Sequence, residues 1–252
     1  MSTYRLSARG ILYGEWTKFS SLRSSWITTA AATVLLVAFG VVASAAFDGK
    51  TMDAVGLALA GNNLAALAVG VLGVLLAAGE YSTGMIRSTL AAVPSRLPVL
   101  WSKSLIVGGT ALVTMTIGAF AAFALGSPLL HDGIAALGLG DDGVLRSLIG
   151  AGLYLGLVAV LGVGLGALLR SSAGAIAVLA AVLLIVPGLA GLLPSSWGEA
   201  ISPYLPTNAG GAIMTLHHVD GTLGPWTGLA IFAGYVAAVL VAAAYRLKKA
   251  DA

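Results

Sequence analysis

Charged residues and histidines leave six long intervals of this chain untouched: 24–47, 54–79, 104–130, 147–169, 171–198 and 221–245. A helix rises 1.5 Å per residue and the hydrocarbon core of a bilayer is about 30 Å thick, so one crossing takes about 20 apolar residues. Each interval accommodates one crossing and is too short for two. The spacing predicts an all-α integral membrane protein, a single transmembrane domain over 1–252 with spans at about 26–47, 57–78, 104–126, 147–169, 174–193 and 226–245. Composition agrees. Only 9% of the residues are charged, whereas soluble domains carry about 25%, so the chain could not cover a water-facing surface. A β-barrel would alternate apolar and polar residues, and "AIAVLAAVLLIV" (175–186) does not.

Six spans put both termini on one side, and the basic residues say which. Arg5, Arg9, Lys18, Arg23, Arg87, Arg96, Lys103, Arg170, Arg246, Lys248 and Lys249 share a side, against Lys50 and Arg146 on the other. Basic residues are retained in the cytoplasm, which predicts a multi-pass protein of a bacterial cell membrane with both termini cytoplasmic. The carboxylates run the opposite way: Asp48, Asp53, Asp132, Asp141, Asp142, Glu199 and Asp220 fall outside.

Motifs for chemistry are weak. Gly49-Lys50-Thr51 ends like a phosphate-binding loop, but Ser44 stands where that loop needs glycine. The GxGxxG match at 138–143 has no strand before it. His217, His218 and Asp220 lie in an outer connection, and adjacent histidines point to different faces of a helix. There is no cysteine. No histidine, aspartate or lysine falls inside a predicted span, which excludes intramembrane Ser–His, Ser–Lys or two-Asp proteolysis and argues against an ion-coupled carrier. The expectation is a non-enzymatic chain with no catalytic, cofactor or metal site and no nucleic-acid partner. Asn62 and Asn63 are the strongest buried polar feature. Hydrogen bonding between helices is their first reading, and contact with a translocated molecule the second. The glycine pairs Gly152/Gly156 and Gly162/Gly166 fit packing within the chain as well as packing between copies.

Three segments outside the spans carry more information. Residues 4–24 are too polar to cross; Leu12, Trp16 and Phe19 fall on one face and Lys18 away from it, with Arg23 near the apolar arc. An interfacial helix along the cytoplasmic leaflet is predicted. Glu15 falls inside the apolar arc and requires a cationic partner, sought in 79–104. The outer segment 194–225 is broken by four prolines and contains "NAGGAIMTLHH", which reads as a short helix capped by Asn208. It reads equally as a plain loop and as a lid or re-entrant hairpin. The third segment, 80–96 within "GEYSTGMIRSTLAAVPSRLPVLWSKS", is longer than a reversal requires. Tyr81 to Leu90 reads as a short cytoplasmic helix between two spans, on which Glu80 and Arg87 share a face.

The order of these pieces, with "EWTKFSSLRSSW" at the start, Glu80-Tyr81…Gly84…Ile86-Arg87 followed by Pro94-Ser95-Arg96, and "YLPTNAG" before the last span, resembles the type 2 ABC-exporter permeases. It is most similar to the short actinobacterial permeases encoded apart from their ATPase. The resemblance covers the whole chain and implies that 80–96 is a coupling helix docking on an ABC ATPase subunit. Glu80, Tyr81, Met85, Ile86, Arg87 and Arg96 would form that contact, and Glu15, Trp16, Lys18, Phe19 and Arg23 would belong to the interfacial helix. Two ATPase subunits and a second permease copy, identical or a paralogue, would complete an exporter, with ATP and magnesium bound by the ATPase. The uncharged path lining points to a hydrophobic or amphiphilic cargo. A self-contained secondary carrier, or a membrane immunity or assembly protein, is the alternative.

Overall fold

The computed structural model describes residues 7–49, 52–92, 97–192, 194–217 and 221–249. Among them are six helices long and apolar enough to cross a membrane, and no strand. Helix α1 covers Ala8–Ser21, with Ser7 at its N-cap accepting a hydrogen bond from the Gly10 amide. Leu22 is extended and breaks the chain. The first span, α2, then runs Arg23–Ala46, so Arg23 opens that span and does not belong to α1.

A short helix α3 (Ala54–Ala58), capped by Asp53, precedes the second span, α4 (Asn62–Ser82). This span starts later than the predicted 57 and runs on through Tyr81. It stops at Thr83, where Gly84 takes a left-handed φ of 74°, a conformation glycine adopts without steric cost. Helix α5 follows at Met85–Ala92. The single helix expected over Tyr81 to Leu90 is therefore split, and Glu80 and Arg87 sit on different helices.

The third span, α6, covers Leu97–Gly126 and begins well before the predicted 104. Pro98 is tolerated because the first turn of a helix has no amide partner to lose. Lys103 thus lies inside the helix, one turn and a half from its start. A 3₁₀ turn, Ser127–Leu129, follows. The fourth span, α7 (Val144–Leu169), is the hub, packed along α6 and α4 and also against the helices Ser172–Ala180 and Pro225–Lys249. Its glycines explain the closeness. A Cβ on Gly162 would land on the Gly70 carbonyl oxygen of α4, and one on Gly156 would meet the Gly108 oxygen of α6 at 3.1 Å. Both glycine pairs serve packing within the chain.

The fifth span runs Ser172–Ala190 as α8 (Ser172–Ala180), a π turn (Ala181–Ile185) and α9 (Val186–Ala190). Pro187 carries no amide hydrogen, so the carbonyl four residues earlier, Leu183, loses its helical donor. Thr207 supplies the replacement, its hydroxyl donating to the Leu183 oxygen at 2.9 Å. The outer segment holds α10 (Ser195–Ile201), α11 (Pro206–Gly211) and two 3₁₀ turns. Asn208 is not the cap expected of it: α11 starts at Pro206, and the Asn208 amide donates to the Ser202 carbonyl at 2.8 Å. The last span, α12, covers Pro225–Lys249.

Candidate functional site

Two constellations stand at opposite ends of α4. One surrounds Glu80 near its last turn, the other Asn62 and Asn63 in its first. Eighteen residues apart, they are separated by about 27 Å of helix.

At the Glu80 end, α1 lies against α6 and presents Glu15 and Phe19 to the bundle. Lys103 of α6 reaches both carboxylates, with its Nζ at 2.7 Å from Glu15 Oε2 and 2.8 Å from Glu80 Oε1. Lys18 does the same from the other side, at 2.7 Å from Glu15 Oε1 and 3.1 Å from Glu80 Oε1. The result is a closed ring of two carboxylates and two ammoniums, neutral as a whole. Glu15, Glu80 and Lys103 are all less than a tenth exposed. Lys18 extends the ring by donating to the Thr89 hydroxyl of α5 at 3.1 Å. Four helices, α1, α4, α5 and α6, are joined through one polar knot.

Burial works against the charge on Lys18, but hydrogen bonding and attraction from Glu15, then from Glu80, outweigh it. Its pKa is raised above the ordinary lysine value. Buried charges are tolerated when paired, and desolvation makes an unpaired one expensive.

The cation that Glu15 requires is present in the 79–104 stretch, as Lys103. The orientation of α1 differs from the expected one. Lys18 faces the bundle instead of turning away, and Trp16 is exposed, stacked on the buried Phe19 ring at 6.0 Å between centroids. Phe19 also meets Trp26 edge-on at 5.7 Å. The ion pairs decide this rotation: Glu15 and Lys18, three residues apart, must both face Glu80 and Lys103. Glu80 and Lys103 lie in the turns by which α4 and α6 run past the predicted spans 57–78 and 104–126.

Of the other residues assigned to docking, Tyr81 is half-buried at the end of α4, with the Arg170 guanidinium 5.0 Å from its ring centroid. Arg170 caps α7 in a left-handed conformation with φ 55°. Met85 is exposed on α5 and Ile86 is buried beneath it. Arg87 is on α5 with its side chain outside the described residues, as is the whole of Arg96. Thr89 and Lys103 were not singled out from the sequence. Lys103 bounds the predicted third span there, and Glu15 in its apolar arc is the signal that a cation is needed.

At the other end, Asn62 and Asn63 line a cavity of about 1110 Å³ together with the end of the fifth span and the outer segment. Asn62 is buried and Asn63 exposed. The outer segment is strapped down at several points. Arg146 donates to the Thr215 and Leu216 carbonyls, Tyr235 to the Tyr204 carbonyl, and Thr207 to Leu183. Gly210 sits against the Tyr154 ring, where a Cβ would collide with it.

No protein-family model matches the chain, and a search of curated proteins finds no match.

Proposed function

We propose that this chain is the membrane-spanning permease subunit of an ATP-driven ABC exporter, powered by a separate ATPase dimer and working with a second permease copy in a bacterial cell membrane. The single observation that carries the reading is the four-charge ring. Its Lys18 also donates to Thr89 of α5, between the second and third spans, so force applied to α5 reaches α1 through that hydrogen bond and both spans through the ring's ionic contacts. The resemblance of 80–96 to the coupling segment of type 2 permeases supplies the direction of that force. On this reading both termini, α1 and α5 are cytoplasmic, as the distribution of lysine and arginine supports. Closure of the ATPase dimer moves α5 and α1, and the opposite end of the bundle opens past the outer segment. Met85 is the exposed residue of the docking face, Arg87 is assigned to the contact by the resemblance, and Glu80 anchors the segment.

The test is purification of the tagged chain from native membranes. An ATPase carrying a Walker motif is expected to co-purify in stoichiometric amount, and Arg87→Glu to lower its recovery and its coupled hydrolysis. Absence of any ATPase, or indifference to Arg87→Glu, sinks the proposal.

A further inference from the structure

We propose that Arg170 is a positioning residue: its guanidinium, seated on the Tyr81 ring, holds the corner between α7 and α8 in a left-handed turn, so that a displacement of the last turn of α4 changes the angle at which the fifth span leaves α7. The proposal rests on the permease reading only for what displaces α4 in the cell; the coupling itself lies within this chain.

The connection between α7 and α8 is two residues long. Arg170 takes a φ of 55°, and Ser171 is extended, its hydroxyl accepting from the Gly174 amide at 3.3 Å as the α8 N-cap. Among the described residues, Arg170 alone besides glycine has a positive φ. That conformation is costly for a residue with a Cβ, and it persists where the surroundings hold it. Two contacts do so here. The Arg170 amide donates to the Gly166 carbonyl at 3.0 Å, which closes the end of α7. The guanidinium lies 5.0 Å from the Tyr81 ring centroid, within reach of a cation–π attraction. The first contact is local, and the second reaches α4. Relaxed to the right-handed region, Arg170 would add a residue to α7 and swing α8 to a new direction. Two discrete arrangements of this kind are what a coupling element requires.

The corner also meets the other helices of this end. Arg246 of α12 donates to the Leu168 carbonyl in the last turn of α7. Tyr81 follows Glu80, so α4 joins the charge ring through one residue and the corner through the next. Glu80, Tyr81, Ile86, Lys103, Ala167 and Leu247 line one small cavity of about 20 Å³, where α4, α5, α6, α7 and α12 come together. Ile86 is the buried residue that α5 contributes to it. A displacement of α5 therefore reaches the last turn of α4 through packing at Ile86 and through the ring.

The test uses the full chain in lipid nanodiscs, with spin labels at Ile149→Cys and Leu189→Cys as the two cysteines of an otherwise cysteine-free chain. Both positions are exposed, and they lie toward the ends of α7 and the fifth span away from the corner, where a change of angle gives the largest shift. Dipolar electron paramagnetic resonance should show one distance with Arg170 and Tyr81 in place. Tyr81→Leu, which removes the ring, should add a second distance, whereas Tyr81→Phe, which keeps it, should not. Arg170→Met, which keeps a Cβ and loses the cation, should also add the second distance with Tyr81 intact. Arg170→Gly should show a single distance, because glycine takes the left-handed turn without a partner, and Tyr81→Leu should add nothing in that background. An unchanged distance in either Tyr81→Leu or Arg170→Met overturns the proposal. So does a Tyr81→Leu shift that persists beside Arg170→Gly, since Tyr81 would then act by packing alone. No ATPase takes part, so failure here leaves the co-purification test untouched, and a failed co-purification leaves the corner standing.

Discussion

Lys103 is the residue on which the network at the Glu80 end depends, because it alone touches both buried carboxylates from within a span helix. Lys103→Met leaves Glu15 and Glu80 sharing only Lys18. The expected cost is about 3–5 kcal/mol, the range for removing one partner of a buried pair. Titration with dodecyl sulfate in mixed micelles measures it. Adding Glu15→Gln should recover part of the loss, since the two sites couple directly; strict additivity would show that they do not. The pH response follows from Lys18. Its folded pKa is raised, so its contribution is complete below the ordinary lysine value of 10.5 and is lost only as pH climbs through the higher folded value. A spin label at Ser21→Cys, unique in this cysteine-free chain, should report α1 docked at pH 10 and released above that range. In Lys18→Met the label should show no such alkaline step. Release of α1 well below pH 10 would contradict the assignment.

Among the elements, the fifth span shows how one residue's missing hydrogen is answered elsewhere in the chain. Thr207→Val removes the donor to Leu183 and should cost about 1–3 kcal/mol, the penalty of an unmatched buried group. Pro187→Ala restores an amide that can bond to the same carbonyl, so the double variant should be less destabilised than the sum of the singles. Equal sums would show that Pro187 and Thr207 do not share Leu183. On α7, Gly162→Ala should destabilise by about 1–3 kcal/mol, the usual cost of overpacking, because the Gly70 carbonyl occupies the place of the new methyl. Unchanged stability in the same titration would refute that contact. These elements differ in how far the sequence reveals them. The spans are legible because charge is expensive in lipid, and the breaks at Leu22 and Gly84 are not, since both depend on how α1 and α5 seat. The start of α6 is misplaced in the sequence reading for a related reason. Lys103 marks a span end only while its charge is unpaired, and two carboxylates brought from distant positions remove that condition. The π turn is equally hidden, because the partner of Leu183 lies on the outer segment.

For the whole molecule, the intervals without charge predict six spans, and six of the described helices, packed around α7, are long and apolar enough to cross a membrane. The cationic partner of Glu15 is also legible, because a carboxylate in an apolar arc requires one. The rotation of α1, the closed ring and the cavity under the outer segment arise from packing in three dimensions, which linear spacing does not encode. The proposed function makes α5 the face gripped by an ATPase. Met85 is 44% exposed on that helix, and Met85→Cys would be the chain's sole cysteine. Thiol crosslinking in native membranes, with products identified by mass spectrometry, is the direct measurement. Met85→Cys is expected to crosslink to a chain bearing a Walker motif, and the exposed α2 control Val34→Cys to give no such product. A Met85→Cys that reacts freely with a water-soluble maleimide and joins no ATPase would contradict it.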